Sequence, residues 1–383
     1  MGIYLDNAAT TPLHPDVKRV MIDLIESDMM FGNPSSVHQF GRKAKMALED
    51  ARDEIAHSLC ARPNEIIFTS GGSESINSAI LGAAYANEHR GKHIITSTIE
   101  HHAVLHTCQY LQKKGWEVTY IPVDERGVVD LQAVRDAVRE DTVLASLMYA
   151  NNETGVIQPL EVLAKIFHQK GVIFHSDMVQ TYGQLPVDVS QLPIDLISTS
   201  AHKLHGPKGA GVLYVRSKLP WHPLLYGGSQ ERGRRAGTEN LVSIVGFAEA
   251  VKLVNREYAQ KAEHLRSVKH AFLQTLEQRL PAQFWQINGM REGLPSIVNI
   301  SFMPCDAETL LMQLDMEGIA CSHGSACTSG SLEPSHVLQA MGLTEQRIRS
   351  SIRVSFGGLN SVDEVTLAAR TMADIVLRHQ NQS

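Results

Sequence analysis

Short runs of apolar and β-branched residues alternate with longer amphipathic stretches up to about Gly246. The short runs predict strands, and their continuous apolar character is typical of strands buried on both faces of a sheet. The predicted strands are 65–69, 93–98, 118–122, 142–148, 172–175, 195–198 and 211–215. The amphipathic stretches between them predict helices such as 74–89, 102–114 and 131–138. Such alternation indicates an α/β domain with a mostly parallel sheet.

The pattern changes after Gly246. A long stretch laced with charges predicts one helix over 249–280, which would connect two parts of the chain. Beyond it the pattern predicts a strand at 296–302, a helix at 306–316, a strand at 349–356 and a last helix that starts at Ser361. We therefore predict a large domain over 15–250. A smaller α+β domain would be formed by 1–14 and 251–383.

Composition narrows the class of protein. With 383 residues, 43% of them hydrophobic, the chain can bury a core large enough for two domains. A net charge of −6 argues against nucleic acid or an anionic membrane as a partner, and no apolar run approaches the ~18 residues of a membrane span. The first residues show no targeting signal. Five cysteines without C-x-x-C spacing predict free thiols, so we expect a soluble cytoplasmic protein.

Ligands of open α/β sheets bind beyond the carboxyl ends of the strands, so the residues after each strand are informative. The segment 70–74 (Ser-Gly-Gly-Ser-Glu) is either a phosphate cradle at a helix N-terminus or an ordinary glycine turn. Asp177 follows a buried strand and is either an anchor for a cationic ring nitrogen or a helix N-cap. Lys203, beside His202, is either a Schiff-base lysine or a solvated charge.

Two further segments carry candidate chemistry. The segment 231–239 holds three arginines and a threonine, which could bind phosphate, form a solvated turn or contact another subunit. The segment 321–331 has almost no bulky apolar residue and is therefore predicted to be an exposed, mobile loop. Cys327 lies near its centre and is either a reactive thiol or a small buried side chain.

Taken together, these segments resemble the cysteine desulfurases of the NifS/IscS type, in the aminotransferase class V group of pyridoxal-phosphate (PLP) enzymes. The resemblance runs nearly end to end. Its motifs are YLDNAATTP at 4–12, GNPSSVH at 32–38, EHHAV at 100–104, NNETG at 151–155 and GSACTSGSLEPSH at 324–336. The last motif resembles the long-loop members of the family.

The resemblance implies a large PLP-binding domain like that of aspartate aminotransferase, with a mostly parallel sheet, and a smaller α+β domain that carries the Cys327 loop. It implies removal of sulfur from L-cysteine, which gives L-alanine and a persulfide on Cys327. The persulfide would pass to an acceptor protein, such as an iron–sulfur scaffold, for the biosynthesis of iron–sulfur clusters, that of nitrogenase included, or of other sulfur compounds. It also implies a homodimer. The identity of the acceptor stays open.

The resemblance also assigns roles to single residues. Cys327, Lys203 and His101 are the implied catalytic residues: the nucleophile, the lysine that binds PLP in a Schiff base, and a histidine that stacks on the ring. Asp177 pairs with the ring nitrogen and Gln180 with the phenolic oxygen. The phosphate is held by Gly72, Ser73, Ser200, His202 and the other subunit's Thr238. The substrate is held by Asn152, which also contacts the cofactor, and by Arg353, whose guanidinium suits a carboxylate.

Cys321 and His323 flank the implied nucleophile, and we hypothesise that His323 modulates the ionisation of Cys327. Two other functions remain open. A selenocysteine lyase or another class V PLP enzyme would keep Lys203 and Asp177 without needing Cys327. A zinc protein would use Cys305, Cys321, His323 and Cys327, but this spacing lacks the C-x2–4-C pair of structural zinc sites. We expect no intrinsic metal, while a cluster shared between Cys327 and an acceptor stays open.

Overall fold

The computed structural model describes residues 2–28, 30–303, 305–324 and 334–380. Strands are numbered along the chain: β1 (Ile3–Tyr4), β2 (Ile66–Thr69), β3 (His93–Ser97), β4 (Glu117–Ile121), β5 (Thr142–Ser146), β6 (Ile173–Asp177), β7 (Leu196–Ser200), β8 (Gly211–Val215), β9 (Trp285–Asn288), β10 (Ile297–Phe302), β11 (Ile319–Ala320) and β12 (Ser351–Ser355). Helices are numbered likewise: α1 (Pro15–Glu26), α2 (Gln39–Ser58), α3 (Gly72–Ala86), α4 (His102–Lys113), α5 (Leu131–Ala137), α6 (Leu160–Gln169), α7 (Gln230–Gly233), α8 (Leu241–Arg279), α9 (Ala307–Met316), α10 (His336–Ala340), α11 (Glu345–Arg349) and α12 (Val362–Gln380).

The larger sheet has seven strands in the order β2-β8-β7-β6-β5-β3-β4. Strand β8 runs antiparallel to both of its neighbours, and the other pairs are parallel. This sheet confirms the α/β class with a mostly parallel sheet. Each of the seven strands predicted from the sequence is present, with ends shifted by a few residues. The carboxyl ends of the parallel strands therefore meet along one edge of the sheet.

Helices cover both faces of this sheet. Neighbouring residues of β2 show why, since Ile66 and Phe68 belong to one apolar cluster and Ile67 to another. One cluster packs the sheet against α2, α6 and the start of α8, and the other packs it against α3 and α4. Burial on both faces explains why these strands are continuous apolar runs in the sequence.

A second apolar core surrounds the antiparallel sheet β12-β10-β9. Helices α9 and α12 and the end of α8 pack against it. The N-terminal strand β1 pairs with β11, and Asp6 forms an isolated bridge with Ser355 at the end of β12. The first residues of the chain therefore lie beside the strand that carries Arg353.

Helix α8 runs without a break from the first core to the second. Asn240 caps it by accepting a hydrogen bond from the backbone N–H of Ser243. Phe247 packs under the large sheet, while Phe272 lies edge to face with Phe356 in the second core at 5.4 Å. The sequence predicted a start at residue 249; the true start lies earlier because the first turns are mostly buried and lack the charge pattern of the rest. The domain boundary at residue 250 stays a prediction.

Among the helices of the described residues, we find none that combines the length and the hydrophobicity of a membrane span.

Candidate active site

A cavity of about 190 Å³ lies beyond the carboxyl ends of the parallel strands. It collects most of the residues that the sequence singled out, because β2, β6 and β7 and the loops after β3 and β5 all deliver side chains to this edge. The predicted residues that line it are Gly72, Ser73, His101, Asn152, Asp177, Gln180, Ser200, His202, Lys203 and Arg353. The structure shows that these residues share one cavity, and the role of each residue stays a prediction.

Two further predicted residues are Thr238 and Cys327. Thr238 is exposed and is not among the residues that line the cavity of its own chain, and its predicted role is in another subunit. Cys327 lies outside the described residues, as does most of the loop predicted to be mobile. The arginines near Thr238 bind their own chain: Arg235 pairs with Glu74 at 2.8 Å, and Arg234 donates to the backbone oxygen of Asn64 at 2.6 Å.

Lys203 ends a short 3-10 helix that directly follows β7. Its ammonium donates hydrogen bonds to the backbone oxygens of Ala8 and Ala9, the latter at 2.7 Å. The side-chain amide of Gln180 also donates to the oxygen of Ala8, at 3.0 Å. The N-terminal segment thus forms one wall of the cavity and fixes the direction of the lysine.

Asp177 is the last residue of β6 and is buried. Burial raises the pKa of its carboxyl group to about 6, although the hydrogen bond from the N–H of Val179 and the nearby ammonium of Lys203 act in the opposite direction. The group is therefore mostly ionised at neutral pH. A buried carboxylate of this kind can hold a protonated ring nitrogen.

His101 is the N-cap of α4, and its Nδ1 accepts a hydrogen bond from the N–H of Ala103 at 3.1 Å. Burial lowers the pKa of this imidazole to about 4, and the positive charge of Lys203 lowers it further. His101 is therefore neutral at physiological pH. A neutral ring can lie against an aromatic cofactor without repelling a nearby cation.

The cradle predicted at residues 70–74 forms the N-terminus of α3. The first N–H groups of a helix lack intrahelical partners and so can bind an anion. A Cβ atom at Gly72 would lie 2.9 Å from Val179 Cγ2 and 3.7 Å from Ser200 Cβ, so a side chain there would fill the cradle. Burial and Lys203 lower the pKa of His202 to about 4, which leaves it as a neutral donor and acceptor beside the cradle.

Arg353 lies in β12 and is almost fully buried. Its Nη1 donates to the backbone oxygen of Asn152 at 3.0 Å, and its Nη2 donates to a carboxylate oxygen of Asp6 at 2.9 Å. Its Nε has no hydrogen-bond partner within the described part of the chain. A guanidinium has five N–H donors, so donors remain for a carboxylate in the cavity.

Sequence reasoning missed two acidic residues of the site, Asp6 and Glu100. Glu100 is buried, accepts hydrogen bonds from Ser97 Oγ at 2.6 Å and from the N–H of Met148, and holds the loop that presents His101. Burial raises its pKa to about 8. Both acids lie in motifs quoted for the resemblance, and a charge three residues after a buried strand was the signal that could have revealed Glu100.

Cys321 and His323 are both held by the small sheet. Burial raises the pKa of the Cys321 thiol to about 12, and the negative charge of Asp6 raises it further, so this thiol stays protonated. Nδ1 of His323 hydrogen-bonds the backbone oxygen of Ser351 at 2.7 Å. The proposed effect of His323 on Cys327 stays a prediction.

Across residues 2–28, 30–303, 305–324 and 334–380, no group of three or more His, Cys, Asp or Glu side chains is placed to hold a metal ion. Cys305 is buried, which raises its pKa to about 11. No cluster among these residues therefore supports the zinc alternative.

The residues present fit PLP. A lysine, a buried carboxylate, a neutral imidazole and an anion cradle face one cavity, and these are the groups that a phosphorylated pyridine aldehyde requires. The fold and the site thus define a pyridoxal-phosphate enzyme.

Comparison with known proteins makes this assignment specific. Residues 3–367 match the family model described as aminotransferase class-V, and the chain belongs to this PLP-dependent family. It is 46% identical to "Cysteine desulfurase IscS" of Dictyoglomus turgidum, over 98% of this chain and 94% of the relative. A solved "NIFS-LIKE PROTEIN" has a TM-score of 0.91 at 38% identity, with 98% and 100% of the two chains covered. A structure titled "SspA in complex with cysteine" has a TM-score of 0.80 at 35% identity, covering 94% and 100%. The resemblance found in the sequence is confirmed.

Proposed function

We propose that this protein is a PLP-dependent cysteine desulfurase that takes the sulfur of L-cysteine as a persulfide on Cys327 and releases L-alanine. One observation carries the proposal: Lys203, Asp177 and Arg353 converge on a single cavity at the sheet edge. A lysine, a buried carboxylate and a guanidinium suit a cofactor and an amino-acid carboxylate bound side by side.

Lys203, Asp177, His101, Gln180 and Asn152 would hold the cofactor ring. The phosphate would bind at the start of α3 and to the residues that end β7 and come directly after it, namely Gly72, Ser73, Ser200 and His202. When bound, PLP draws electron density from the α-carbon of the substrate.

The protein's own residues then orient the cofactor and the substrate and move protons between them. Asp177, ionised at neutral pH, would keep a positive charge on the ring nitrogen of the cofactor. Lys203 Nζ, held beside the oxygens of Ala8 and Ala9, exchanges protons with the α-carbon of the substrate. Neutral His101 would lie against the ring and would add no second cation next to Lys203. Arg353 binds the substrate carboxylate through the donors not used by Asp6 and Asn152.

Sulfur transfer requires Cys327 as a thiolate, and a thiol of ordinary pKa, ~8.5, is only a few per cent ionised at neutral pH. The thiolate attacks the sulfur of the substrate, the carbon–sulfur bond breaks, and its electron pair stays with the β-carbon, which takes up a proton. L-cysteine and the thiol of Cys327 thus become L-alanine and a persulfide, without any external oxidant or reductant.

Mass spectrometry of the Cys327 peptide after treatment with L-cysteine tests this function. We expect one or more added sulfur atoms in the wild type. Cys327→Ala should form no persulfide and lose sulfide release, yet keep the absorbance of its bound cofactor. Cys60→Ala is the matched control, because Cys60 is a free, exposed thiol elsewhere on the protein. Full sulfide release by Cys327→Ala would refute the proposed nucleophile, and no added sulfur in the wild type would refute the function.

A homodimer is part of the proposal, with Thr238 of one subunit reaching the phosphate of the other. Large apolar side chains lie exposed on the surface: Phe31 is 75%, Val37 is 87% and Tyr226 is 79% exposed. An exposed set of this kind supports a subunit contact. Thr238 is itself exposed, and so is available to another chain.

The persulfide must leave for a sulfur-acceptor protein, such as an iron–sulfur scaffold, and we propose that this happens in the cytoplasm. All four cysteines of the described residues are free thiols, which suits a reducing compartment. Incubation of the persulfidated protein with an iron–sulfur scaffold, followed by mass spectrometry of both proteins, tests the transfer. Sulfur retained on Cys327 would argue against that acceptor.

A further inference from the structure

A second cavity, of about 210 Å³, lies against α8. Its walls are the middle of α8, the residues Leu204 and His205 directly after Lys203, and the turn at Gly358 after β12. We name it the α8 pocket. We infer that the α8 pocket binds a small organic carboxylate with a short hydrocarbon body, whose anionic end pairs with Lys261.

Lys261 supplies an unpaired positive charge. Within the described residues its ammonium makes no hydrogen bond and no ion pair, although it lines the pocket. Glu257 also lines the pocket and its charge raises the pKa of Lys261, but its carboxylate is engaged by Arg256 at 2.6 Å. A partly buried cation without a partner gains most from a ligand that brings a negative charge. Burial already lowers the pKa of Lys261 to about 8, which a bound anion would raise.

The histidines around the pocket are occupied by the protein itself. His205 uses both ring nitrogens, Nδ1 with the oxygen of Pro12 at 2.9 Å and Nε2 with the N–H of Gly358 at 3.2 Å. Nε2 of His264 hydrogen-bonds the oxygen of Asn360 at 2.9 Å. These imidazoles shape the pocket, while Lys261 is left to recognise charge.

Much of the remaining wall is apolar, although Glu257, Gln260 and His14 also line the pocket. Leu204, Leu253 and Val254 are buried and contribute side-chain surface, and Ala250 leaves space between them. A cavity of ~150 Å³ lined by apolar residues holds a molecule of the size of benzene. The α8 pocket is larger, so it has room for a chain of about six carbons.

A small polar cavity of about 20 Å³ adjoins the pocket and shares Lys261 and His205 with it. Ser296 Oγ and Gln184 Oε1 are buried in this region without hydrogen-bond partners among the described residues. The space suffices for about one water molecule. Such a water would connect these atoms to a carboxylate bound at Lys261, so the anionic end of the ligand lies at this inner end of the pocket.

Isothermal titration of the PLP-bound protein with hexanoate tests the inference, with excess L-alanine present to occupy Arg353. We expect binding of one equivalent in the millimolar range, which is usual for a ligand of about eight non-hydrogen atoms. Hexanol should bind at least about tenfold more weakly, because it lacks the charge. At pH 8 the wild type should take up protons as hexanoate binds, which titrations in buffers of different ionisation enthalpy detect.

Three variants separate the outcomes. Lys261→Met should weaken hexanoate binding about tenfold or more and abolish proton uptake, while Lys261→Arg should retain binding. Lys252→Met is the control, since Lys252 is exposed on the same helix. Equal binding of hexanoate and hexanol, full binding by Lys261→Met, or no binding by the wild type would overturn the inference. None of these measurements depends on desulfurase activity.

Discussion

Arg353 is the residue that the small sheet contributes to the site. Its guanidinium reaches Asp6 from the start of the chain and Asn152 from the loop after β5. These two bonds orient the plane of the guanidinium before any substrate arrives. A lysine at the same position has one compact ammonium and could not hold both contacts while also presenting a planar pair of donors.

Arg353→Lys should therefore raise the KM for L-cysteine about 10- to 100-fold, since a charge-assisted hydrogen bond contributes about 1.5–3 kcal/mol. The turnover number should fall less, because the bond to the carboxylate is made in both the ground state and the transition state. Steady-state kinetics measure both, and the absorbance of bound cofactor controls for folding. An unchanged KM would remove Arg353 from substrate binding.

The chemistry-bearing residues were predictable because the edge of a parallel sheet brings together the residues at the carboxyl ends of its strands. Asp177 and Lys203 were identified in this way, and the structure places both at one cavity. Asp6 could not be found by that reasoning. It contacts Arg353, 347 positions away, through a pairing of the chain's two ends that local pattern does not encode. The carbonyl partners of Lys203 were missed for the same reason.

Three neighbouring strands are joined by one buried imidazole. His175 in β6 hydrogen-bonds Ser146 of β5 through Nδ1 at 2.8 Å and Ser198 of β7 through Nε2 at 2.9 Å. Its complete burial lowers its pKa to about 3. In the folded protein it is neutral above that pH, whereas in the unfolded chain it takes up a proton near its ordinary pKa of ~6.5. The stability that depends on the neutral form of His175 is therefore fully present above pH ~6.5 and is lost as the pH falls from there towards 3.

His175→Gln should make the free energy of unfolding less sensitive to pH between 6.5 and 4. The stability of the wild type should fall relative to the variant by up to about 1.4 kcal/mol for each pH unit, because one fewer proton is taken up on unfolding of the variant. Urea unfolding at pH 7, 6 and 5 measures the difference. Parallel pH profiles of the two proteins would contradict this account.

Helix α7 is anchored by a buried ion pair. Glu231 accepts hydrogen bonds from Arg52 at 2.7 and 2.8 Å and from the N–H of Phe68 at 2.9 Å. Both partners of the ion pair are almost fully buried. Arg52 has a second acidic neighbour, Glu49, at 3.4 Å, which is partly exposed.

Glu231→Ala should lower the free energy of unfolding by about 3–5 kcal/mol, because the buried guanidinium of Arg52 loses its principal partner. Glu49→Ala, the matched control on the same arginine, should cost less than about 1 kcal/mol. Chemical denaturation of both variants gives the comparison. Equal losses of unfolding free energy in the two variants would show that burial does not set the contribution of the Arg52–Glu231 pair to stability.

The strands were easier to predict than the remaining elements. Burial on both faces makes β3 and β5 short runs rich in apolar and β-branched residues, whereas the direction of β8 depends on a tertiary pairing and leaves no local mark. No element was predicted for α1 or α2, although the buried positions Ala44, Leu48, Ala51 and Ile55 of α2 recur at helical spacing in the sequence. The start of α8 was placed too late because its first turns are packed on most sides.

At the scale of the whole molecule, the two cores share one site and one helix. Lys203 and Asp177 come from the large sheet, and Arg353 comes from the small one. Helix α8 packs into both cores, so it couples any change in their relative position to the residues after Lys203. Neither sheet alone supplies both the lysine and the guanidinium.

Val37→Asp should dissociate the proposed homodimer, because it places a charge within an apolar contact. Analytical ultracentrifugation should give about 84 kDa for the wild type, twice the 42.2 kDa of one chain, and a lower mass for the variant. Met316→Asp is the control, since Met316 on α9 is equally exposed, at 87%. The dissociated variant should also bind PLP more weakly, because Thr238 would be lost from the phosphate. A monomeric wild type would refute the dimer.

The hold on Lys203 by the oxygens of Ala8 and Ala9 has a consequence for genetic tests. These acceptors belong to the main chain, which every residue type possesses, so amino-acid substitution at either position leaves them in place. Substitution of the side chains in this segment would therefore test how they pack, but it would not test the backbone contact that orients Lys203. Only an altered backbone, such as an ester in place of the amide between Ala9 and Thr10, weakens an acceptor directly.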